Sequence, residues 1–198
     1  MTTRRRAETR TRLLDAAAAV FAERGFGATS VEQVCEAAGY TRGAFYSNFS
    51  TLDELLLALF ARRHTEVVAG LTAALDRLTG PTPVGDLADV VDDLVAAHLA
   101  DRRWQVLQTE LALHALRTPA IAPAVATQRA ELRGRVGELI EHAATRAGRR
   151  ITVPADELAR AVLALVEGSR LQAYLDPEPV RTDRLLLTAL LEQVTEAV

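Results

Sequence analysis

Apolar residues recur along most of this chain at the three- and four-residue spacing of a helix face, with no stretch of strand-like alternation between turn signals. The first such stretch covers residues 8–25, where Leu13, Leu14, Ala17, Ala18 and Phe21 form one stripe. Gly25 is placed to end it. A short helix follows at 31–38, with Val31, Val34, Cys35 and Ala38 facing inward. Its start carries two possible capping boxes, Thr29 with Glu32 or Ser30 with Gln33. Gly39 can turn the chain in a left-handed conformation, and Thr41 can cap a third helix, Arg42–Phe49. Thr51 and Glu54 form another capping pattern, opening a long helix over about 52–78. "TGPTPVGD" interrupts it at 79–86. Further helices are expected at about 86–100, 102–117, 122–147, 155–175 and 181–197. The pattern predicts an all-α fold of about nine helices and no strand.

Three small helices come first and six larger ones after. The first three match a helix-turn-helix, in which the second helix of the pair lies in a DNA major groove and the first lies across it. In "GYTRGAFYSNF", residues 39–49, Gly39 turns and Thr41 caps. Gly43 and Ala44 allow close backbone approach to the bases. Phe45 and Phe49, four apart, anchor the helix on the core. Tyr46, Ser47 and Asn48 carry hydroxyl and amide groups suited to phosphate oxygens. Arg42 in the first turn can reach a guanine edge with two hydrogen bonds. A helical hairpin with no nucleic-acid role has the same caps and the same aromatic spacing.

Composition sharpens this. The net charge is −3, yet residues 1–50 hold seven arginines against five acids, and the rest holds 16 arginines against 21 acids. The basic excess sits in the first twelve residues, at Arg4, Arg5, Arg6, Arg10 and Arg12. It reads either as a polyanion-binding arm or as a solvated tail. Every basic residue is arginine; lysine is absent. The one cysteine excludes an intrachain disulfide and a cysteine-based zinc site, and fits a reducing compartment. The polar opening is followed by no apolar signal core, and no uncharged run approaches the ~18–20 residues that span a bilayer. The expectation is a soluble cytoplasmic protein without membrane contact. No phosphate loop, catalytic triad order or zinc motif appears, so no enzyme activity and no cofactor are expected.

Residues 9–59 resemble the DNA-binding domain of the TetR family of bacterial transcription regulators. The matching features are Ala-Ala-x-x-x-Phe-x-x-x-Gly-Phe in the first helix, Thr29-Ser30 opening the second, the Ala-Gly-x-Thr turn, and Phe-Tyr-x-x-Phe in the third. Three positions depart from the family's habit. Leu52 replaces a usual lysine, Asn48 a frequent histidine, and Tyr40 a small aliphatic residue. The resemblance implies DNA contacts from Thr29, Ser30 and Thr41 alongside those named above. It implies a homodimer through the last two helices.

Those last two helices are apolar around much of their circumference, unlike an amphipathic surface helix. Leu165, Leu187, Leu190, Leu191 and Val194 are the expected apolar contacts between subunits. Gly168, Ser169 and Ala173 are small enough for close helix crossing. The alternative is burial of both helices within a monomer. An effector site is expected between the 52–78 helix and the helices spanning 86–175, lined by Phe60, His64, Val67, Trp104, Gln108, Leu111, His114 and Gln172. A mostly apolar wall with a few polar groups suits a small, largely apolar molecule. A lone histidine on such a stripe is more often a satisfied core residue. Glu110 with His114, and Glu138 with His142, stand four apart on one helix face. Their spacing departs from the Glu-x-x-His of di-iron bundles, so local ion pairing or a polar lining is expected and no metal.

The combined expectation is a DNA-binding transcription regulator. Residues 1–50 bind an inverted-repeat operator in double-stranded DNA. Residues 51–198 dimerise and hold an effector that releases the repressor. The competing readings are a helical-bundle small-molecule or metal-binding protein without DNA function, and an effector-independent DNA-binding regulator.

Overall fold

The computed structural model describes residues 3–77, 101–176 and 182–197. Among them are eight α-helices: α1 (Thr3–Arg24), α2 (Val31–Ala38), α3 (Arg42–Tyr46), α4 (Leu52–Arg77), α5 (Arg102–Arg117), α6 (Ala122–Arg146), α7 (Ala155–Leu175) and α8 (Thr182–Gln193). The helix expected at 86–100 lies outside the described residues. A 3₁₀ turn (Phe26–Ala28) joins α1 to α2. The chain forms two compact units, Met1–Arg63 with Asp101–Thr127, and His64–Ala100 with Gln128–Val198. The packing boundary falls inside α4 and α6. Neither unit ends at residue 50, the division expected from the sequence.

The first unit is organised around a stripe that the sequence displays. Leu13, Ala17, Phe21, Val34, Phe45 and Phe49 are all but inaccessible. Phe21 meets Phe26 edge-on at 5.2 Å between ring centroids, and Phe45 lies 5.9 Å from Phe49. Asp53 and Glu54 stand in the first turn of α4, where carboxylates favour the positive helix end. Thr51 Oγ1 accepts the Glu54 N–H at 3.0 Å. The Glu54 carboxylate reaches back one residue further than a standard box, to the Ser50 N–H at 2.7 Å.

In the second unit, Leu158, Val162 and Val166 of α7 close on Leu187 and Leu191 of α8, and Ile140 and Ile151 pack against them. Two short strands are present that the helical reading missed. They are β1 (Arg149–Ile151) and β2 (Thr195–Ala197), antiparallel, with Arg150 opposite Glu196. They shorten the expected last helix from 197 to 193. Ile151 pairs with Thr195, and the Thr152 N–H donates to Val194 O at 2.9 Å; these β-branched residues lose side-chain freedom in a helix and pack well on a pleat. Arg149 locks the pair by donating to Thr195 Oγ1 at 2.6 Å and Thr195 O at 2.7 Å.

Two further boundaries differ from expectation. α1 begins at Thr3 rather than at Glu8, so the basic head is helical. Alanine, arginine and glutamate all favour that state. α3 ends at Tyr46 rather than Phe49. The Ser47 hydroxyl and the Asn48 amide both donate to Ala44 O at 2.8 Å. Short polar side chains that bond the backbone in this way compete with continued helix.

Candidate nucleic-acid interface

α2 and α3 are eight and five residues long. Isolated helices that short are marginal, so their ends must be fixed locally. At α2, the structure selects Ser30 with Gln33. Ser30 Oγ accepts the Gln33 N–H at 3.3 Å, and Gln33 Oε1 accepts the Ser30 N–H at 2.8 Å. Thr29 is buried, and its hydroxyl donates to Gly25 O at 2.8 Å. Gly39 ends α2 at φ 70°, ψ 32°, a left-handed conformation that a side chain resists. Thr41 Oγ1 then accepts the Ala44 N–H at 3.3 Å and opens α3.

The face of α3 turned from the core consists of Thr41, Arg42, Gly43, Tyr46 and Ser47, all exposed. Ala44 and Asn48 are half-buried. Arg42 ion-pairs with Glu32 of α2 at 3.0 Å. Its guanidinium stands 5.9 Å from the Tyr46 ring centroid. A hydrogen bond donated to the Tyr46 oxygen, then the charge of Glu32, raises the arginine above its ordinary value. The Glu32 carboxyl is held below the usual range by its own backbone N–H, then by the Ser30 hydroxyl and Arg42. Arg42 is a cation, as any arginine is, and its side chain is exposed. Ser47 and Asn48 have less to offer phosphates than their residue types suggest. Each donates inward to Ala44 O, and Asn48 Nδ2 also donates to Ser47 Oγ at 3.2 Å. Tyr46 remains the exposed hydroxyl of the group, 51% accessible. In the basic head, Arg4, Arg5 and Arg6 are exposed on α1, and the Arg6 guanidinium donates to Ser47 O at 3.1 Å.

The eight residues expected to line an effector site are divided between the two compact units. Phe60, Trp104, Gln108, Leu111 and His114 belong to the first, and His64, Val67 and Gln172 to the second. Phe60 and Trp104 are buried with ring centroids 4.5 Å apart, and the Arg63 guanidinium lies 5.4 Å from the Trp104 ring. Leu111 is buried on the same helix, and Gln108 is half-buried. His114 has another environment. Its Nε2 lies 2.8 Å from Asp53 Oδ1, and its ring stands 4.4 Å from Phe26. Glu110, one turn earlier, accepts the Phe26 N–H at 3.2 Å. A side chain at Gly25 would meet that carboxylate at 3.3 Å, and Gly25 has φ 81°, so glycine fits there on both counts. Glu110 and His114 thus bond to the 3₁₀ turn and to α4. These partners are 84 and 61 residues away, a relation that no local spacing reveals. Glu32 with Arg42 is a third pair that sequence reading missed, its members standing on different helices.

His64 is held at about 4, below its ordinary value, by burial first and then by Arg129 and Arg135. Gln172 is exposed. Burial raises the Cys35 thiol, as expected of a core cysteine. Among the described residues, no three His, Cys, Asp or Glu side chains form a group that could hold a metal ion, and Glu138 and His142 are both exposed. Among the same residues, no helix is long and apolar enough to cross a membrane.

The dimer residues sort differently from expectation. Leu187 and Leu191 lie inside the core of their own chain, and Leu165, Leu190 and Val194 pack against it. Gly168 faces open space, and Ser169 is half-buried. The exposed large apolar side chains of these two helices are Leu171, Tyr174, Leu175, Leu185 and Leu186. The heavy apolar content of α7 and α8 hid which of their leucines serve the subunit's own core.

Residues 13–59 match the family described as bacterial regulatory proteins, tetR family. Residues 83–197 match the C-terminal part of BetI-type transcriptional repressors. The nicotine-responsive transcriptional repressor HdnoR of Paenarthrobacter nicotinovorans is 28% identical over 189 residues, covering 93% of this chain and 95% of the relative. The multidrug binding protein EbrR, solved in complex with imidazole, is 33% identical with a TM-score of 0.64, over 91% of this chain and 93% of that one. The fatty acid degradation regulator FadR of Bacillus halodurans shares the fold, with a TM-score of 0.74 at 16% identity over 92% and 94% of the two chains. The capped α2–α3 pair and the helical remainder both fall within these matches, and the chain belongs to the TetR family of bacterial transcription regulators, as a DNA-binding regulator of the repressor type.

Proposed function

We propose that the protein acts as a homodimer whose two α3 helices read an inverted-repeat operator, with residues 1–50 binding DNA and residues 51–198 dimerising and holding the effector. One observation carries this reading. The exposed face of α3 collects a small residue for close approach, Gly43, a charged reader, Arg42, and a phenolic hydroxyl, Tyr46. Arg42 and Tyr46 recognise bases and phosphate respectively. Arg4 and Arg5 add sequence-independent attraction to phosphate.

The exposed leucines of α7 and α8, with Gly168 beside them, support dimerisation through these helices. A two-fold contact of that kind sets two recognition helices a fixed distance apart and so demands a palindromic site. The effector is a small, largely apolar molecule carrying a few hydrogen-bonding atoms. Phe60, Trp104 and Leu111 supply the apolar wall, and Gln108 a neutral polar group. The names of the relatives fit: one responds to nicotine, another binds multiple drugs.

Release follows from linkage. An effector that prefers the DNA-incompetent state weakens operator binding, and operator weakens effector binding by the same factor. α5 offers the route. Trp104 and His114 stand ten residues apart on it, about 15 Å along the axis. A shift of α5 at Trp104 moves Glu110 and His114, which hold the 3₁₀ turn and the first turn of α4.

The test is a screen of hydrophobic small molecules for quenching of Trp104, the single tryptophan, and for release of a selected operator duplex. Compounds that do both should lose affinity in Gln108→Leu. In His114→Leu they should still quench Trp104 but release DNA poorly. Normal release in both variants would remove these residues from effector action.

A further inference from the structure

We infer that Arg6 and Arg10 are positioning residues for DNA reading, holding the C-terminal end of α3 in place from α1 instead of neutralising phosphates. The inference rests on α3 being the recognition helix. It separates the arginines of the basic head into two groups with different work.

The separation is visible in helical geometry. At about 100° per residue, Arg6, Arg10, Leu13 and Ala17 fall within a stripe roughly 60° wide. Leu13 and Ala17 have 0% exposure. The two arginines therefore extend the core-facing stripe of α1 past its apolar end. Arg4, Arg5 and Arg12 fall on other faces; all five arginines are exposed, and the angular position alone separates them.

What the stripe meets is the end of α3. Arg6 donates to Ser47 O at 3.1 Å, and Arg10 donates to Asn48 O at 3.4 Å. The Arg10 guanidinium also lies 4.4 Å from the Phe49 ring centroid, in cation–π contact. α3 makes barely a turn and a half, so its orientation depends on what holds its two ends. Thr41 and Gly39 fix the first end. At the second end the carbonyls of Ser47 and Asn48 lie past the last helical residue, where a helix leaves acceptors without partners and favours cations. Arg6 and Arg10 supply both donor and charge. Phe49 anchors this end in the core, and Arg10 covers its ring. Tilting α3 by a few degrees would move Arg42 and Tyr46 relative to the DNA, so these contacts bear on reading and not only on stability.

Positioning and phosphate contact leave different signatures. A lost phosphate contact weakens binding to every duplex and lowers the salt slope by about 0.9 per residue. A lost positioning contact weakens recognition of the correct sequence and leaves the slope in place. The experiment uses two probes, the duplex most enriched from a random pool by the unmutated protein, and a random duplex of equal length. Both are titrated at several salt concentrations with the unmutated protein, Arg6→Gln, Arg6→Gln/Arg10→Gln, and Arg4→Gln/Arg5→Gln. The Arg6/Arg10 pair should bind the enriched duplex about tenfold more weakly, the scale of two lost charge-assisted hydrogen bonds in water. Its slope should stay within about half a unit, and its binding to the random duplex within about threefold. The Arg4/Arg5 pair should lose nearly two units of slope on both duplexes. Circular dichroism and melting check that each variant is folded. Arg6 touches α3 through one exposed bond, so Arg6→Gln should show the same pattern, at about threefold, even if the double variant unfolds.

Equal losses on both duplexes with a fall in slope would make Arg6 and Arg10 phosphate contacts and overturn the inference. So would unchanged affinity for the enriched duplex. Failure of the unmutated protein to enrich any duplex would instead strike the reading of α3 itself.

Discussion

The α2–α3 pair and the α7–α8 pair are specified in opposite ways. The first has 13 helical residues in two pieces, each too short to persist alone. It is held by named hydrogen bonds at its ends: the Ser30–Gln33 box, the left-handed Gly39 and the Thr41 cap. The second has 33 helical residues and is held by area, through Leu158, Val162, Val166, Leu187 and Leu191. Capping chemistry is local, so a residue's neighbours in sequence announce its work. Burial is not local. A leucine on α8 reads the same whether it faces its own subunit or a partner.

The largest expected effect tests that difference directly. Leu187→Asp places an unpaired charge in the core of the second unit and should cost at least about 3 kcal/mol in a denaturant melt. Leu185→Asp changes a residue that is 72% exposed in the single chain. It should leave the folded subunit intact and separate the proposed dimer in sedimentation. If Leu185→Asp unfolds the protein, or leaves the dimer untouched, the division between core and contact leucines is wrong.

A second effect concerns pH. The His64 value of about 4 lies below its ordinary 6.5, so the folded state binds this proton less readily than the unfolded state does. Its contribution to stability is therefore complete above pH 6.5 and is lost as pH falls from 6.5 towards 4. The loss is at most about 3 kcal/mol. His64→Leu should flatten the pH dependence of stability in that window, as read by urea melts at several pH values. An unchanged profile would mean that His64 is free to take up its proton in the folded protein.

At α3, Arg42→Ala should relax preference at one base position by about 1–3 kcal/mol. Tyr46→Phe should weaken all sequences alike. An exchange of these two signatures, seen by competition among single-base operator variants, would reverse the roles assigned to them. The smallest expected effect is at the caps. Ser30→Ala and Thr41→Ala should each cost about 1 kcal/mol, concentrated in α2 and α3, and hydrogen exchange of those amides reads it.

The same contrast explains how much was legible in advance. Caps, glycine turns and the Leu13–Phe21 stripe marked out α1, α2 and α3, with α3 overextended because Ser47 and Asn48 bond back to Ala44 O. Of the two boxes at α2, Ser30–Gln33 formed, and Thr29 turned its hydroxyl to Gly25 O. The β1–β2 pair was hidden because three-residue strands carry too little alternation to register, and β-branched residues were their only trace. Arg42 and Tyr46 were visible as residue types on a capped helix. Glu32, Asp53 and Glu110, which hold Arg42, His114 and Phe26, were not, since their partners are distant in sequence or on another helix. His114 stood on a stripe with Trp104 and Leu111 and read as lining. Its bond to Asp53 also links α5 to α4.

The most direct test of operator reading is selection of duplexes from a random pool by the unmutated protein, followed by sequencing of the bound fraction. The expected result is an inverted repeat whose half-sites are centred about one helical turn of DNA apart or a little more. Enrichment should disappear in Leu185→Asp, which retains α3 and loses its partner. Enrichment of a single unrepeated site, undiminished in Leu185→Asp, would contradict a dimer that reads DNA with two α3 helices.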